Sequence, residues 1–274
     1  MLSFDQCVEK IKDEKRVLLL GTPKYKRSCD DYDNSRDETL VQCMGLDLPL
    51  LIYNGAPVTL IELGRALILD YAVKTPPITD VMMIDDDMGW NPDDLIRLWA
   101  SDKGLVAGVG RRKGTLGSDN PGGYATLFLT AEGGERKAHM LPKELRFPVD
   151  TEDGMMEVEG VGAAFLRIRV EAIRRMVAHY PELIGRVAMT TPTGAVERML
   201  LPLLFKTDIF GGDYQTEDYS FCNRWRAMGE KVWIDPTIKL RHWGEHCWEG
   251  SLMEGFRRKP VEKTDVAASD LPAA

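Results

Sequence analysis

Continuous apolar runs alternate with amphipathic segments along the first 110 residues, and this pattern predicts a parallel α/β sheet. Runs without polar breaks are typical of strands buried on both faces. Helical periodicity is expected over 3–14, over 59–73 and from Asn91, where Asn91 can cap and Pro92 suits the first helical position. The alternation indicates helices on both faces of the sheet. Strands are predicted at Arg16–Pro23, Pro49–Gly55, Asp80–Asp85 and Gly104–Gly110.

The second half predicts a smaller antiparallel portion added to this sheet. Its elements are the strand-like stretches "YATLFLT" and "MEVEGVGAAFLRI", helices over Val170–Tyr180 and Glu217–Gly229, and a last strand "KVWIDP". Two polar stretches are expected to be irregular: 24–38 as a mobile loop, and 181–215 as a loop covering a substrate. The whole is predicted to be one Rossmann-like domain, 1–254, followed by a flexible tail, 255–274.

Composition narrows the classes of function. The chain has 274 residues and a net charge of −8, which argues against nucleic-acid binding through bulk charge. No apolar run is long enough to cross a bilayer, so no transmembrane segment is expected. Five cysteines without a Cys-x-x-Cys pair indicate a reduced chain, and we expect a cytoplasmic protein. The sequence does not predict an oligomeric state.

Three consecutive aspartates, Asp85, Asp86 and Asp87, follow the strand "DVMMID" and are the main chemical candidate. Ligands of open α/β sheets bind beyond the carboxyl ends of strands. On an extended backbone Asp85 and Asp87 would share a side, where they repel unless a cation lies between them. Mg²⁺ or Mn²⁺ would suit such oxygen ligands. The alternative is a solvated turn with acids at a helix start, a role that Asp93 and Asp94 already fill.

Two further candidates lie near the end of the chain. Glu217 and Asp218 open a predicted helix, where a carboxylate can act as a general base, although acids are favourable there on dipole grounds alone. His242 follows a short strand-like stretch and can complete a metal site. His246 and Cys247 raise a zinc alternative, but zinc requires about four N or S ligands, so a structural role is favoured for His246.

Three stretches in this order resemble the GT-A glycosyltransferases, and the family 2-like group most closely. The resemblance extends over roughly Arg16 to Gly250, and it includes an Asp-x-Asp motif at the end of the nucleotide-binding half. P-loop, kinase and Gly-x-Ser-x-Gly signatures are absent from the sequence. The stretches are "MIDDDMGW", "VEGVGAAFLRIRVEAIRRM" and "TEDYSFCNRWRAMGEKVWIDPTIKLRHWG".

The resemblance implies roles for the candidate residues. Asp87 would bind a divalent metal directly, and His242 would be a further ligand. Asp85 would contact the nucleotide ribose and support the metal through water, and Asp86 stands at the variable middle position of this nucleotide-binding motif. Asp218 would be the catalytic base of an inverting enzyme, with Glu217 beside it. The resemblance also implies that Lys113 contacts the diphosphate. Arg65 stands where relatives carry an arginine-rich stretch that contacts the nucleotide or its phosphates. The remaining implied nucleotide contacts are Thr22, Pro23, Asn54 and Gly55.

The expected function is therefore metal-dependent transfer of a hexosyl group from a UDP- or GDP-sugar to a hydroxyl acceptor such as a glycan. Two alternatives stay open. A sugar nucleotidyltransferase has a related fold, although its glycine-rich first turn is poorly matched by "LLLGTPKYKR". A carbohydrate- or partner-binding domain without catalysis is the other.

Overall fold

The computed structural model describes residues 2–24, 27–55, 58–113, 126–127, 153–190 and 194–253. The predicted tail, 255–274, and most of the predicted strand "YATLFLT" lie outside these ranges. The described part contains six helices: α1 (Phe4–Asp13), α2 (Asp30–Gly45), α3 (Ile61–Lys74), α4 (Pro92–Ala100), α5 (Val170–His179) and α6 (Glu217–Ala227).

Sixteen strands accompany these helices in the described ranges. They are β1 (Leu18–Gly21), β2 (Leu50–Ile52), β3 (Asp80–Ile84), β4 (Met88–Gly89), β5 (Leu105–Gly108), β6 (Thr126–Leu127), β7 (Met156–Val158), β8 (Gly160–Val161), β9 (Phe165–Arg169), β10 (Ile184–Thr190), β11 (Val196–Pro202), β12 (Asp208–Phe210), β13 (Asp213–Gln215), β14 (Val232–Asp235), β15 (Leu240–Trp243) and β16 (Cys247–Gly250).

Seven strands form the central sheet, in the order β2-β1-β3-β9-β5-β14-β7. Five of them run in one direction, while β9 and β7 run in the other. The prediction of a mostly parallel sheet is confirmed. The antiparallel strands are placed differently from the expectation, because β9 lies in the middle of the sheet, between β3 and β5, and only β7 is added at an edge.

Two hydrophobic layers cover the two faces of the sheet. Alternate side chains of β1 enter opposite layers, with Leu19 on one face and Leu18 and Leu20 on the other. Helices α3, α5 and α6 pack on the face of Leu19, and α1, α2 and α4 pack on the other. The predicted start of α4 is confirmed, since the Asn91 side chain accepts the backbone N–H of Asp93 and Pro92 follows it. Among the described residues, no helix combines the length and apolarity needed to cross a membrane.

The stretch predicted as a mobile loop, 24–38, is instead largely helical, because α2 begins at Asp30. The prediction was wrong because this helix buries polar groups on its inner face. Ser35 and Thr39 are buried, and Trp90 donates its backbone N–H to Ser35 Oγ (3.1 Å) and its indole N–H to Thr39 Oγ1 (3.0 Å). Hydrophobic periodicity cannot reveal a helix whose inner face is polar.

The stretch 181–215, predicted to be irregular, contains two hairpins. Strands β10 and β11 pair in register from Ile184 opposite Pro202 to Thr190 opposite Val196, and β12 pairs with β13. Neither hairpin joins the central sheet. Apolar residues such as Leu200 are largely exposed there, so the strands lack the buried alternation from which sequence patterns predict a strand.

A buried arginine fixes the end of α4 to the middle of the sheet. Arg167 of β9 is fully buried and donates to the carbonyl oxygens of Leu98 (3.0 Å) and Ser101 (2.9 Å), where a cation complements the helix C-terminus. Its guanidinium lies 3.5 Å from the carboxylate of Asp80, also fully buried. Burial lowers the pKa of Arg167 to about 10, partly offset by Asp80.

Replacing Arg167 by methionine is expected to reduce the free energy of unfolding by about 3–5 kcal/mol, because Asp80 then stays buried without its cation. Urea denaturation measures this. Arg175→Met is the matched control, since the partly exposed Arg175–Glu230 pair should contribute only about 0–1 kcal/mol. Equal stability of the two variants would contradict the structural role of Arg167.

Candidate active site

The predicted site residues collect at the carboxyl edge of the parallel strands. Strands β1, β2 and β3 end at Gly21, Ile52 and Ile84. Thr22, Asn54 and the aspartates from Asp85 follow these ends within one or two residues. The register of β1 with β2 and β3 brings the three ends side by side.

Residues 85–87 form a turn rather than a continuation of β3. Met88 donates its backbone N–H to the carbonyl of Asp85 (3.2 Å), so the alternation of an extended strand does not apply to these side chains. Three different elements hold the turn through its backbone. The bonds run from Asp85 N–H to Ala164 O (3.2 Å), from Cys29 N–H to Asp86 O (2.9 Å) and from Trp243 N–H to Asp87 O (2.8 Å).

Asp87 meets two basic side chains. Lys113 Nζ pairs with Oδ2, and His242 Nε2 lies 3.6 Å from Oδ1, a separation outside hydrogen-bond range. Burial acts to raise the pKa of Asp87, but His242 in its protonated form and Lys113 outweigh it, so the pKa lies below its ordinary value. Asp87 is therefore an anion held between two partners at neutral pH.

The orientation of His242 leaves one ring nitrogen available as a ligand. Nδ1 lies 2.7 Å from the carbonyl oxygen of Arg111, which can only accept, so Nδ1 carries the proton. The protonated ring forms an ion pair with Asp87, whereas in the neutral ring Nε2 has a lone pair directed toward Asp87. Asp87 Oδ1 is buried and has no hydrogen-bond partner among the described residues. These two atoms, 3.6 Å apart, are the described donors that could hold a divalent cation here.

No group of three His, Cys, Asp or Glu side chains suited to a metal occurs within the described ranges. A cation bound by Asp87 and His242 would need further ligands from elsewhere. Mg²⁺ in particular is commonly held by one or two protein groups together with water and substrate phosphates. The zinc alternative at His246 and Cys247 gains no support, because these two are not part of any such group among the described residues. The His246 ring instead lies against Trp248, with centroids 3.5 Å apart and ring planes 37° from parallel.

Asp85 belongs to a second cluster, centred on Arg65. The guanidinium of Arg65 donates to Glu217 Oε1 (2.8 Å) and to Asp85 Oδ1 (3.2 Å). Burial acts to lower the pKa of Arg65, and Asp85, Glu217 and Asp218 together raise it above its ordinary value. Burial raises the pKa of Glu217, against the opposing effect of Arg65. Both terminal nitrogens of Arg65 are thus engaged by protein carboxylates rather than directed toward open space.

Asp218 differs from Glu217 in the bonds that its carboxylate makes. Its Oδ1 accepts the backbone N–H of Tyr219 (2.8 Å) and the hydroxyl of Thr216. Glu217, in contrast, is tied to Arg65. The two acids, which the sequence could not distinguish, therefore differ in their pairing with Arg65.

Part of the predicted nucleotide-binding set lines one cavity of about 280 Å³. Thr22 and Asn54 contribute to it, whereas Pro23 and Gly55 do not. Helix α2 supplies residues that the loop prediction missed, among them Tyr32, whose hydroxyl pairs with that of Thr22. The lining is Thr22, Lys24, Tyr32, Arg36, Asp37, Leu40, Ile52, Tyr53 and Asn54.

A larger cavity, of about 530 Å³, is lined mainly by residues of α1 and of the end of α4. It contains none of the predicted site residues. The lysines lining it are paired, Lys10 with Asp102 and Lys103 with Asp153. The larger cavity therefore does not coincide with the candidate residues, which lie at the carboxyl edge of the sheet.

A hydrogen-bond network that the sequence did not predict packs against the aspartate turn. Asp31 of α2 accepts two bonds from the Arg241 guanidinium (2.7 and 2.9 Å) and one from the indole N–H of Trp243 (2.6 Å). A side chain at Gly89 would collide with Asp31, since a Cβ there would lie 2.1 Å from its Oδ2. Helix α2, β4 and β15 are thereby joined around the aspartate turn.

Comparison with known proteins identifies no family. No family model matches the sequence, and no curated protein matches it. Among solved structures, the chain is similar to one titled "Crystal Structure of A197 from STIV", with a TM-score of 0.44 and 15% identity. The similarity covers 84% of this chain and 86% of that one. At this level it carries no argument about fold or function.

Replacing Arg241 by methionine should destabilise the protein by about 1–2 kcal/mol at pH 7, because Asp31 loses its charged donor. Burial opposes ionisation of Asp31, but its bonds to Arg241 and Trp243 prevail and lower its pKa. A lowered pKa gives stability that is present above pH ~4 and is lost as the pH falls through the folded-state value.

The difference in unfolding free energy between parent and Arg241→Met should therefore shrink between pH 5 and pH 2–3, as measured by urea denaturation at each pH. Lys239→Met is the control, since the Lys239–Glu249 pair in the same small sheet is exposed. A pH-independent difference for Arg241→Met would contradict the assigned role of Asp31.

Proposed function

We propose that this protein is a metal-dependent glycosyltransferase of the GT-A type that moves a sugar from a nucleotide-diphosphate donor to a hydroxyl acceptor. The observation that carries the proposal is the pair formed by Asp87 Oδ1, buried and without a hydrogen-bond partner in the described part, and His242 Nε2, 3.6 Å away. This pair lies at the carboxyl edge of the parallel strands, and Asp85 of the same turn is joined through Arg65 to Glu217 on α6. The family resemblance of the sequence supports the same assignment.

On the donor side, Asp87 and His242 would hold Mn²⁺ or Mg²⁺, with Asp85 supporting it through water. When bound, such a metal stabilises the negative charge that develops on a departing diphosphate. Lys113 is a second cation for that diphosphate, because its ammonium group already reaches the Asp87 carboxylate. The cavity between β1, β2 and α2 would take the nucleoside of a UDP- or GDP-sugar, with Thr22 and Asn54 at its wall.

On the acceptor side, Asp218 would receive the proton of the acceptor hydroxyl as the acceptor oxygen bonds to the anomeric carbon of the sugar. The bond between that carbon and the diphosphate oxygen breaks at the same time, and the nucleoside diphosphate leaves with the bonding electrons. Attack from the face opposite the leaving group inverts the configuration. Glu217 is less suited to this role, because Arg65 occupies it.

Asp87→Ala is expected to abolish metal-dependent donor binding. Titration calorimetry with UDP- and GDP-sugars, with and without Mn²⁺, measures the effect. Mutation of a residue that only hydrogen-bonds to a metal ligand typically lowers metal affinity about 10–100-fold. Loss of a direct ligand should therefore weaken binding by more than about 100-fold. Asp93→Ala, a nearby aspartate at the exposed start of α4, is the control. Undiminished Mn²⁺-dependent binding by Asp87→Ala would exclude Asp87 as a ligand.

Asp218→Asn is expected to bind the donor like the parent but to transfer sugar about 10²–10⁴-fold more slowly, the usual contribution of a general base. Product analysis measures this and also separates the reaction classes, since a transferase releases nucleoside diphosphate and a nucleotidyltransferase exchanges pyrophosphate. Asp213→Asn, an exposed aspartate of β13, is the control. Transfer by Asp218→Asn at the parental rate would place the base elsewhere.

A further inference from the structure

Arg65 is a buried cation between the two halves of the candidate site. Only 1% of its surface is exposed, although it lies on α3 close to the carboxyl edge of the sheet. One terminal nitrogen bonds Asp85 on the turn after β3, and the other bonds Glu217 in the first turn of α6. These two acids are 132 residues apart in sequence, and one side chain joins them.

A stacked aromatic pair packs against this guanidinium. The Arg65 guanidinium carbon lies 5.2 Å from the ring centroid of Phe205. Phe205 in turn stacks on Phe221 of α6, with centroids 4.2 Å apart and the ring planes 4° from parallel. Both rings are fully buried, so the position of Arg65 is determined by packing as well as by charge.

We infer that Arg65 is a positioning residue that joins the donor-side carboxylate Asp85 to the first turn of α6, and thereby fixes the position of Asp218 beside the donor site. The inference deepens the proposed function and rests on it for the roles of Asp85 and Asp218. Arg65 itself contacts neither donor nor acceptor in this assignment. This positioning role takes the place of the direct nucleotide contact that the sequence resemblance implies for Arg65.

The charge arrangement makes the inference testable without a substrate. Glu217 faces Arg65 from α3 and Asp218 from its own helix, and burial raises its pKa while Arg65 acts against that rise. Without the guanidinium, Glu217 would still be buried and would still lie next to the Asp218 carboxylate. Both effects favour the protonated form of Glu217. A protonated Glu217 no longer ties α6 to the aspartate turn.

The experiment follows the Glu217 carboxyl by carbon-13 NMR of protein labelled at glutamate Cδ, with the signal assigned by Glu217→Gln. In Arg65→Met the pKa of Glu217 should rise by about 1–3 units relative to the parent, the usual effect of one nearby charge. Arg65→Lys retains a charge and should restore much of the parental value. It also keeps the test available if Arg65→Met does not fold.

Arg16→Met is the matched control, because Arg16 is equally buried but pairs with Glu14 and Asp102. It should lose stability without shifting the Glu217 titration. An unchanged Glu217 pKa in Arg65→Met, or an equal shift in Arg16→Met, would overturn the inference. The Glu217 titration needs neither metal nor donor, so its result does not depend on whether the protein transfers sugar. The inference and the proposed function can therefore fail separately.

Where sugar transfer is found, the acid limb of its pH–rate profile should move to higher pH in Arg65→Met. It should return toward the parental position in Arg65→Lys.

Discussion

Mutual repulsion of the carboxylates in the Asp85–Asp87 turn is the constraint around which the site is built. Adjacent anions next to an apolar strand are unfavourable unless each meets a compensating charge. The structure supplies these charges from separate elements: Arg65 of α3 pairs with Asp85, and Lys113 pairs with Asp87. Packing of the elements that carry those cations around the turn therefore lowers its electrostatic cost.

The topology of the sheet supplies a backbone hydrogen bond to the same turn. Because β9 runs opposite to its neighbours, its first residue, Phe165, pairs with Ile84 at the end of β3. The carbonyl of Ala164, just before β9, is then in position to accept the backbone N–H of Asp85. A parallel strand at this place would end, rather than begin, beside the turn. The reversed strand inside an otherwise parallel sheet thus provides a backbone partner at the edge where ligands bind.

Sequence patterns predicted the parts of the fold that depend on local apolar burial, and missed those that depend on polar contacts between distant segments. Strands β1, β2, β3 and β5 and helix α4 follow from continuous apolar runs and a capping signal. Helix α2 was missed because its inner face is polar, and with it the cavity residues Tyr32 and Arg36. No local signal could have joined Asp31 to Arg241, which lie 210 residues apart, or shown that Arg65 lies between two acids.

The charge balance at Asp87 bears on how donor and metal would bind under the proposed function. Lys113 already neutralises this carboxylate, so a divalent cation entering alone would add uncompensated positive charge beside an ammonium group. A cation that arrives with a diphosphate brings its own negative charge, to which Lys113 can turn. His242 Nε2 and Asp87 Oδ1 would then hold the cation, and Lys113 would pair with the diphosphate. The electrostatics therefore favour metal and nucleotide-sugar binding together over either binding tightly alone.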